Sequence, residues 1–175
     1  MFCLKKTALA AVLALPSLAF SAPSVEVGFS PEGTAQQLVI NVINSAQRTI
    51  RMMAYSFTSP EVMKALLSAQ KRGVDIQIVV DERGNRSKSS LAAMNLVANA
   101  GIALRTDDHY KIQHDKVIIV DGMTTETGSF NYSRAAARNN SENAVVVRDD
   151  PTLAATFTRH WQSRWAQGTP YSPAW

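Results

Sequence analysis

The stretch from His114 to Asn131, which reads HDKVIIVDGMTTETGSFN, constrains the fold of this chain more than any other. Its apolar centre, Val117 to Val120, has the length and the β-branching of a fully buried strand. Asp121-Gly122 then supplies turn residues, and Thr124 to Thr127 can return as a second strand. The pattern predicts a buried β-hairpin, and the turn after it brings the end of the stretch back toward its beginning.

Four polar residues are expected to meet where this hairpin opens. Residues two apart on a strand project from the same face, so His114 and Lys116 stand side by side. The following turn adds Ser129 and Asn131. A neutral imidazole is a nucleophile near neutral pH, an ammonium attracts phosphoryl oxygens, and hydroxyl and amide groups donate neutral hydrogen bonds. This set suits a phosphate ester.

Two other interpretations fit the same stretch. In the first, His114 and Lys116 are simply exposed at the rim of a strand. In the second, the region binds a metal through ligands drawn from His109, His114, Asp107, Asp108 and Asp121. The lysine at the centre argues against a metal, because its positive charge repels a cation. We therefore expect neither a metal nor a cofactor.

The spacing H-x-K-x4-D-x6-G-S-x-N resembles the HKD signature of the phospholipase D superfamily. The resemblance implies that His114 is the nucleophile and that Lys116, Ser129 and Asn131 bind phosphate. It also implies that a carboxylate, Glu142, hydrogen-bonds the catalytic histidine, although a solvated acid at the start of a strand is an alternative.

Asp121 belongs to the same signature, so we group it with His114, Lys116 and Glu142 as the catalytic set. Its expected part is to orient the turn or the basic groups rather than to take part in the chemistry.

The rest of the chain alternates between short apolar strands and amphipathic helices. Strands are predicted near residues 25–27, 49–57, 74–80, 102–105 and 144–147. Helices are predicted to begin at Ser30-Pro31-Glu32, at residues 58–61, at Ser89 or Ser90, at Ser133 and at Pro151. This order predicts an α/β protein, a single-domain α-β-α sandwich with a mixed β-sheet flanked by helices. It is similar to the phospholipase D fold over essentially the whole mature chain.

Residues 1–22 are predicted to be an export signal, with Lys5 and Lys6 ahead of an apolar run too short to span a bilayer. A retained N-terminal anchor is the alternative. The single cysteine, Cys3, lies in this segment, so the domain at 23–175 has no thiol. Removing two lysines from 18 basic residues, against 14 acidic ones, leaves a net charge of +2. Affinity for nucleic acid therefore cannot rest on bulk charge.

Two further groups of residues stand out. Arg83, Arg86 and Lys88 lie in a Gly/Ser/Asn-rich loop that we expect to be mobile and to contact flanking phosphates, or else to be merely solvated. Trp161 and Trp165 are four residues apart on one predicted helix face, so they are expected to pack rather than to stack on bases.

Small size, one HKD copy and an export signal make the chain look most like the small periplasmic endonucleases of the superfamily, the Nuc type. The leading hypothesis is a metal-independent phosphodiesterase that cleaves nucleic acid through a phosphohistidine, in the periplasm or outside the cell. A phospholipid head group is the rival substrate, although no apolar patch for docking on lipid stands out in the sequence. A non-catalytic nucleic-acid-binding protein of DNA transfer or uptake is a third possibility.

A homodimer is expected because the full H-x-K-x4-D-x6-G-S-x-N pattern occurs once in the chain. In-line displacement puts the attacking group and the leaving oxygen on opposite sides of phosphorus, so one histidine cannot serve both. The resemblance implies that a partner subunit supplies the second copy around a two-fold axis. No stable membrane association is expected after the signal is removed.

Overall fold

A computed structural model describes residues 22–173. The export signal predicted at residues 1–22 therefore lies outside the described residues, apart from Ala22. Strands and helices follow one another as β1 Ser24–Ser30, α1 Thr34–Ser45, β2 Thr49–Ala54, α2 Pro60–Lys71, β3 Asp75–Asp81, α3 Lys88–Asn99, β4 Ala103–Asp107, β5 Lys116–Val120, β6 Thr124–Gly128, α4 Arg134–Arg138, β7 Glu142–Arg148, α5 Pro151–Gln167 and β8 Thr169–Pro170. A single 3₁₀ turn at Arg83–Asn85 separates β3 from α3.

All eight strands form one sheet in the order β1-β7-β6-β5-β2-β3-β4-β8. β2, β3 and β4 run parallel to one another, and the remaining neighbours pair antiparallel. The predicted hairpin is β5 and β6, with Val117 opposite Thr127. In the three-residue connection between β5 and β6, Asp121 and Gly122 both have positive φ, and the Met123 amide donates to the Val120 oxygen. The mixed sheet confirms the α/β fold class, and the short strand β8 is an addition to it.

Helices cover the sheet on both sides, as the sandwich prediction requires. The larger core lies beneath α1, α2 and α3, and its fully buried side chains include Ile43, Met52, Leu66, Ile78 and Ile118. On the other face, α5 packs Ala154 and Trp161 against Met53, Val79, Val117 and Ile119. β5 is buried along its whole length because it contributes side chains to both cores. Within the part of the chain that is described, no helix is long and apolar enough to cross a membrane.

The first helix begins three residues later than Ser30-Pro31-Glu32 predicts, with Gly33 instead of Ser30 as its N-cap. Ser30 is instead the last residue of β1, where it pairs with Glu142. α1 starts at Thr34 after Gly33, and the Thr34 hydroxyl accepts a hydrogen bond from the Phe29 amide at 2.8 Å. Sheet pairing therefore overrides the local Ser-Pro helix signal. α2 begins as predicted, with the Ser59 side chain accepting a hydrogen bond from the Val62 amide. α3 begins at Lys88, one or two residues earlier than Ser89 or Ser90 predicts, because Ser87 is the cap and accepts from the Ser90 amide.

Candidate active site

The predicted site residues meet at one end of the sheet, in an open cleft of about 410 Å³. β5 runs antiparallel to β6, and β6 antiparallel to β7, so the start of β5, the end of β6 and the start of β7 share this end. The cleft is lined by His114, Lys116, Gly128, Ser129, Asn131 and Glu142. Five residues predicted from the sequence to work together are thus brought to one place.

Lys116 is the first residue of β5, and only 6% of it is exposed. Its Nζ donates a hydrogen bond to the backbone oxygen of His114 at 2.8 Å and lies 5.3 Å from the centre of the Tyr55 ring. Burial lowers the pKa of this ammonium, and the carboxylates of Asp115 and Glu142 oppose that effect by favouring the charged form. The cation is therefore held in a fixed position with little water around it.

His114 precedes β5 rather than lying within it, so its side chain is not fixed by the strand as predicted. Its ring is exposed and rests against Tyr55, with the two ring centres 4.5 Å apart. Among the described residues, Glu142 does not hydrogen-bond this imidazole; its Oε1 accepts from Asn140 Nδ2 at 2.8 Å. An exposed ring beside a buried cation leaves the imidazole open to an incoming substrate.

The turn after β6 is built so that its backbone can pass close to β7. Gly128 has φ +151°, and a Cβ there would lie 2.4 Å from the Asn143 backbone oxygen, so only glycine fits. Ser129 Oγ accepts a hydrogen bond from the Asn143 amide at 3.0 Å. The Asn131 Oδ1 is buried with no hydrogen-bond partner among the described residues, so this amide keeps unused hydrogen-bonding capacity at the cleft.

A buried polar network holds the segment that precedes His114, and the sequence analysis missed it. Asp81, at the end of β3, accepts hydrogen bonds from the amides of Gln113 at 2.7 Å and Gly84 at 2.6 Å. Asn85 donates to the backbone oxygens of Tyr55 and Asp81 and accepts from the Phe57 amide. The sequence signal was a carboxylate that closes an apolar strand and is followed by Gly and Asn, which is typical of a side chain that organises a turn.

Asp115, between the two motif residues, points away from the cleft. Its carboxylate contacts His160 Nε2 of α5 at 3.2 Å and accepts from Gln113 Nε2 at 2.9 Å. His160 is thereby engaged on the opposite face of the sheet. Neither His160 nor His109 lines the cleft.

Asp121 lies at the far end of β5 from Lys116, so grouping it with the catalytic residues does not match its position. Five residues of extended strand separate the two, or roughly 17 Å. The Asp121 carboxylate accepts hydrogen bonds from the amides of Gln47, Arg48 and Thr49, which join α1 to β2. Partial burial raises the pKa of Asp121, but these amides outweigh it and the net pKa is lowered. The residue orients a turn, which is the part the sequence favoured for it.

The basic loop makes several local contacts. Arg83 belongs to the 3₁₀ turn, and Lys88 is the first residue of α3. Arg86 forms an ion pair with Glu82 at 2.8 Å. Between Arg83 and Arg86, the side chain of Asn85 is buried. None of the three basic residues lines the cleft.

The alternative metal set is not assembled in one place, because Asp121 and His114 lie at opposite ends of β5. Across residues 22–173, no group of three or more His, Cys, Asp or Glu side chains is arranged to hold a metal ion. Trp161 and Trp165 stack on each other with ring centres 5.3 Å apart, in agreement with a packing role.

A mixed sheet whose strand ends gather an imidazole, a buried ammonium and an asparagine amide makes this an α/β protein with a site suited to phosphoryl transfer. Residues 39–165 match the family model described as cardiolipin synthase, PLD-like domain. The chain belongs to the phospholipase D superfamily and is a phosphodiester hydrolase of that superfamily.

Three relatives show how far the similarity extends. A solved structure of Nuc, a phospholipase D family member from Salmonella typhimurium, is 62% identical, with a TM-score of 0.85 over 86% of this chain and 99% of that one. A protein called phospholipase D from Rickettsia conorii is 33% identical over 144 residues, which are 82% of this chain and 70% of the relative. A mitochondrial cardiolipin hydrolase from Xenopus laevis is 29% identical over 74% of this chain and 59% of the relative.

Proposed function

We propose that this phosphodiesterase is an endonuclease that cleaves DNA, with RNA as a second substrate, without a metal ion. The observation that carries the proposal is the shape and lining of the cleft: it is open and polar, and it offers an exposed imidazole beside a buried ammonium. An open cleft admits a polymer, and groups that contact only phosphate impose little sequence preference. The 62% identity to Nuc supports the same substrate class.

In the proposed mechanism, an imidazole nitrogen of His114 attacks phosphorus as the bond from phosphorus to the leaving oxygen breaks. A phosphohistidine forms, and water then attacks it to release the phosphate ester and restore the imidazole. Lys116, Ser129 and Asn131 bind the non-bridging oxygens, where negative charge develops in the transition state. The buried cation is effective there because little water screens it.

The leaving oxygen needs a proton from the side of phosphorus opposite His114. His160 is paired with Asp115 on the other face of the sheet, and His109 lies outside the cleft. We therefore propose that the acid is His114 of a second subunit and that the two clefts face one another across a two-fold axis. One imidazole is then neutral and the other protonated, so the rate falls at both acidic and alkaline pH.

Phospholipid is the second candidate substrate, and two observations favour it. Relatives are called phospholipase D and cardiolipin hydrolase. The sequence argument against lipid, that no apolar patch stands out, is wrong: Val25, Val27 and Phe29 are each more than half exposed. The prediction failed because alternating strand residues look the same whether their apolar side faces a core or solvent.

We further propose that the protein works in the periplasm or outside the cell after residues 1–22 are removed, without stable membrane association. The composition of residues 1–22 supports this location. A nuclease with little sequence preference is compatible with a cell only when it is kept away from the chromosome.

The deciding experiment incubates the purified protein with plasmid DNA, RNA and phosphatidylcholine vesicles, each with and without excess EDTA. We expect DNA to be nicked and cut at the same rate with the chelator, RNA to be cleaved too, and lipid to remain intact. His114→Ala, which keeps the fold, is the matched control for a contaminating nuclease. Loss of DNA cleavage in EDTA, restored by Mg²⁺ or Zn²⁺, would contradict the mechanism, and cleavage of lipid alone would favour the second candidate.

A further inference from the structure

His114 lies in a segment that no helix or strand holds. Residues 108–115 join β4 to β5 as irregular backbone, and the ladder of β5 begins only at Lys116. A reacting group must nevertheless be held within about 0.5 Å of its productive geometry. The position of the imidazole therefore depends on the hydrogen bonds made by the residues on either side of it.

The backbone is fixed on both sides of His114. The Gln113 amide donates to the buried carboxylate of Asp81 at 2.7 Å. The Asp115 backbone oxygen accepts from the Tyr55 amide at 3.0 Å. Asp81 is the last residue of β3 and Tyr55 follows β2, so both of these anchors come from the ends of parallel strands. The side chain of Asp115 adds a third anchor, from a different layer of the fold.

This third anchor is His160 of α5. Successive residues of an extended segment project to opposite faces, so Asp115 points toward α5 while His114 does not. The Oδ1 of Asp115 lies 3.2 Å from His160 Nε2, and its Oδ2 accepts from Gln113 Nε2 at 2.9 Å. A carboxylate can only accept, so Nε2 of the imidazole is the donor. Both oxygens of Asp115 are thus engaged, and the side chain cannot rotate without breaking a hydrogen bond.

His160 stands on a firmly packed part of α5. The next residue, Trp161, is 5% exposed and belongs to the same apolar cluster as Val117 of β5. The Ser163 hydroxyl donates to the His160 backbone oxygen at 2.6 Å. The helix therefore gives the imidazole of His160 a rigid base from which to hold Asp115.

The contact between Asp115 and His160 contributes little to the stability of the fold. The two side chains are 30% and 37% exposed, and a single pair with that much access to water is weakly stabilising. Its place in the chain is more informative, because it ends on the residue between His114 and Lys116. A contact of small energetic value that terminates next to a reacting group is suited to fixing geometry.

We infer that His160 is a positioning residue, which through the Asp115 carboxylate holds the segment that aims the His114 imidazole into the cleft. His160 does not line the cleft, so it acts through another residue and not on the substrate. The inference rests on the proposed role of His114 as the nucleophile. Lys116 is already held by β5, where it pairs with Ala54, so loss of His160 should disturb the nucleophile and spare the phosphate-binding cation.

His160→Gln and His160→Asn form a matched pair of variants. The glutamine amide reaches nearly to the place of Nε2 and can donate to Asp115, whereas the asparagine amide is one bond too short. We expect His160→Gln to keep wild-type kinetics. His160→Asn should lower kcat by roughly ten- to a hundredfold, with KM within about twofold of the wild type. Arg159→Ala, at an exposed neighbouring position on α5, is the control and should change neither.

Rates are measured on plasmid DNA and on bis(p-nitrophenyl) phosphate, a diester with neither a base nor an acyl chain. The small diester reports on the cleft whichever natural substrate the protein has. Wild-type protein that hydrolyses this diester and leaves DNA intact would contradict the nuclease proposal alone, because the His160 variants are still compared on the diester.

Asp115→Ala tests the route of the effect. If His160 acts through Asp115, the double variant Asp115→Ala/His160→Asn should be no slower than Asp115→Ala. Losses that multiply would overturn the inference, and so would equal kcat values for the Gln and Asn variants. A rise in KM alone would make His160 a substrate-binding residue instead. Urea unfolding at the assay pH gives the folded fraction of each variant, and a loss of kcat that this fraction explains entirely would also refute positioning.

Discussion

His114 and Lys116 are separated by one residue yet occupy opposite environments. The imidazole is exposed against Tyr55, whereas the ammonium is buried and bonded to the His114 backbone oxygen. A nucleophile must be reachable, but a cation that stabilises developing charge works best away from water. Because Lys116 holds the backbone of His114, the two residues are mechanically coupled as well as chemically complementary.

Removing each side chain should therefore have a different kinetic signature. His114→Ala should lower kcat by on the order of ten-thousandfold or more, with substrate affinity changed only modestly, since the nucleophile is lost. Lys116→Ala should lower kcat and raise KM together, because its charge acts on bound substrate and transition state alike. Steady-state rates on a short oligonucleotide distinguish these two effects on kcat and KM. The control is His109→Ala, which removes a histidine outside the cleft and should behave as the wild type. Near-normal turnover of the His114→Ala variant would exclude His114 as the nucleophile.

At this scale the sequence predicted the residues that line the cleft better than those that support it. Residue type and spacing pointed to His114, Lys116, Ser129 and Asn131 because phosphate chemistry needs those groups together. Asp121 was grouped with them because it lies in the same motif, although five further residues of extended strand carry it to the opposite end. Asp81 and Asn85 were not found, since their partners are backbone amides that sequence alone does not locate.

The β6 strand carries a carboxylic acid into the core. Glu126 is fully buried; its Oε2 accepts a hydrogen bond from the Tyr132 hydroxyl at 2.8 Å, and its Oε1 has no partner among the described residues. Burial raises the pKa of Glu126 to about 8, while the Tyr132 hydrogen bond acts in the opposite direction. The Tyr132 backbone oxygen accepts from Thr58 and Ser59, so this pair ties the site's turn to the start of α2.

Glu126 should make the folded protein less stable as pH rises. Its pKa in the fold is above the ordinary value of 4.5, so its contribution is full below about pH 4.5 and is lost as pH rises through about 8. Glu126→Gln keeps the shape and cannot ionise. Above pH 8 it should have the larger free energy of unfolding, by several kcal/mol at most, with little difference in acid.

Urea unfolding at acidic, neutral and alkaline pH measures this difference. Glu32→Gln, which removes an exposed carboxyl, is the control and should leave the pH dependence of stability unchanged. A Glu126→Gln curve parallel to that of the wild type across the whole range would show that Glu126 is ionised in the fold already at neutral pH.

Helices and strands were predictable from the sequence where the local residue preferences agree with the strand pairing of the folded sheet. The β5–β6 hairpin and the helix α2 with its Ser59 cap follow directly from their sequences, and α3 begins only one or two residues before the predicted serines. Where local preference and strand pairing conflict, strand pairing determines the structure. Ser30 joins β1 because Glu142 lies opposite it. Whether a side of β1 faces solvent depends on how far α5 extends across the sheet. The alternating pattern from Val25 to Ser30 does not show this extent.

For the whole molecule, the shared active site that we propose would make activity a property of pairs of chains. Wild-type and His114→Ala subunits, mixed in equal amounts and allowed to exchange, should assort at random. Heterodimers lack one of the two histidines, so about a quarter of the activity should remain instead of half. Steady-state cleavage of plasmid DNA at several mixing ratios measures the curve. A linear decline with the wild-type fraction would show that one chain suffices.

The sheet joins β1, near the start of the described chain, to β7, more than a hundred residues later. The cleft in turn needs β7, because Glu142 is one of its walls and Asn143 fixes Ser129. During synthesis the ribosome must therefore release residues past 148 before the edge strand finds its partner and the catalytic groups converge. A growing chain has no assembled phosphodiesterase site, so under the proposed function the nascent protein would be harmless beside the messenger and chromosome of the cell that makes it.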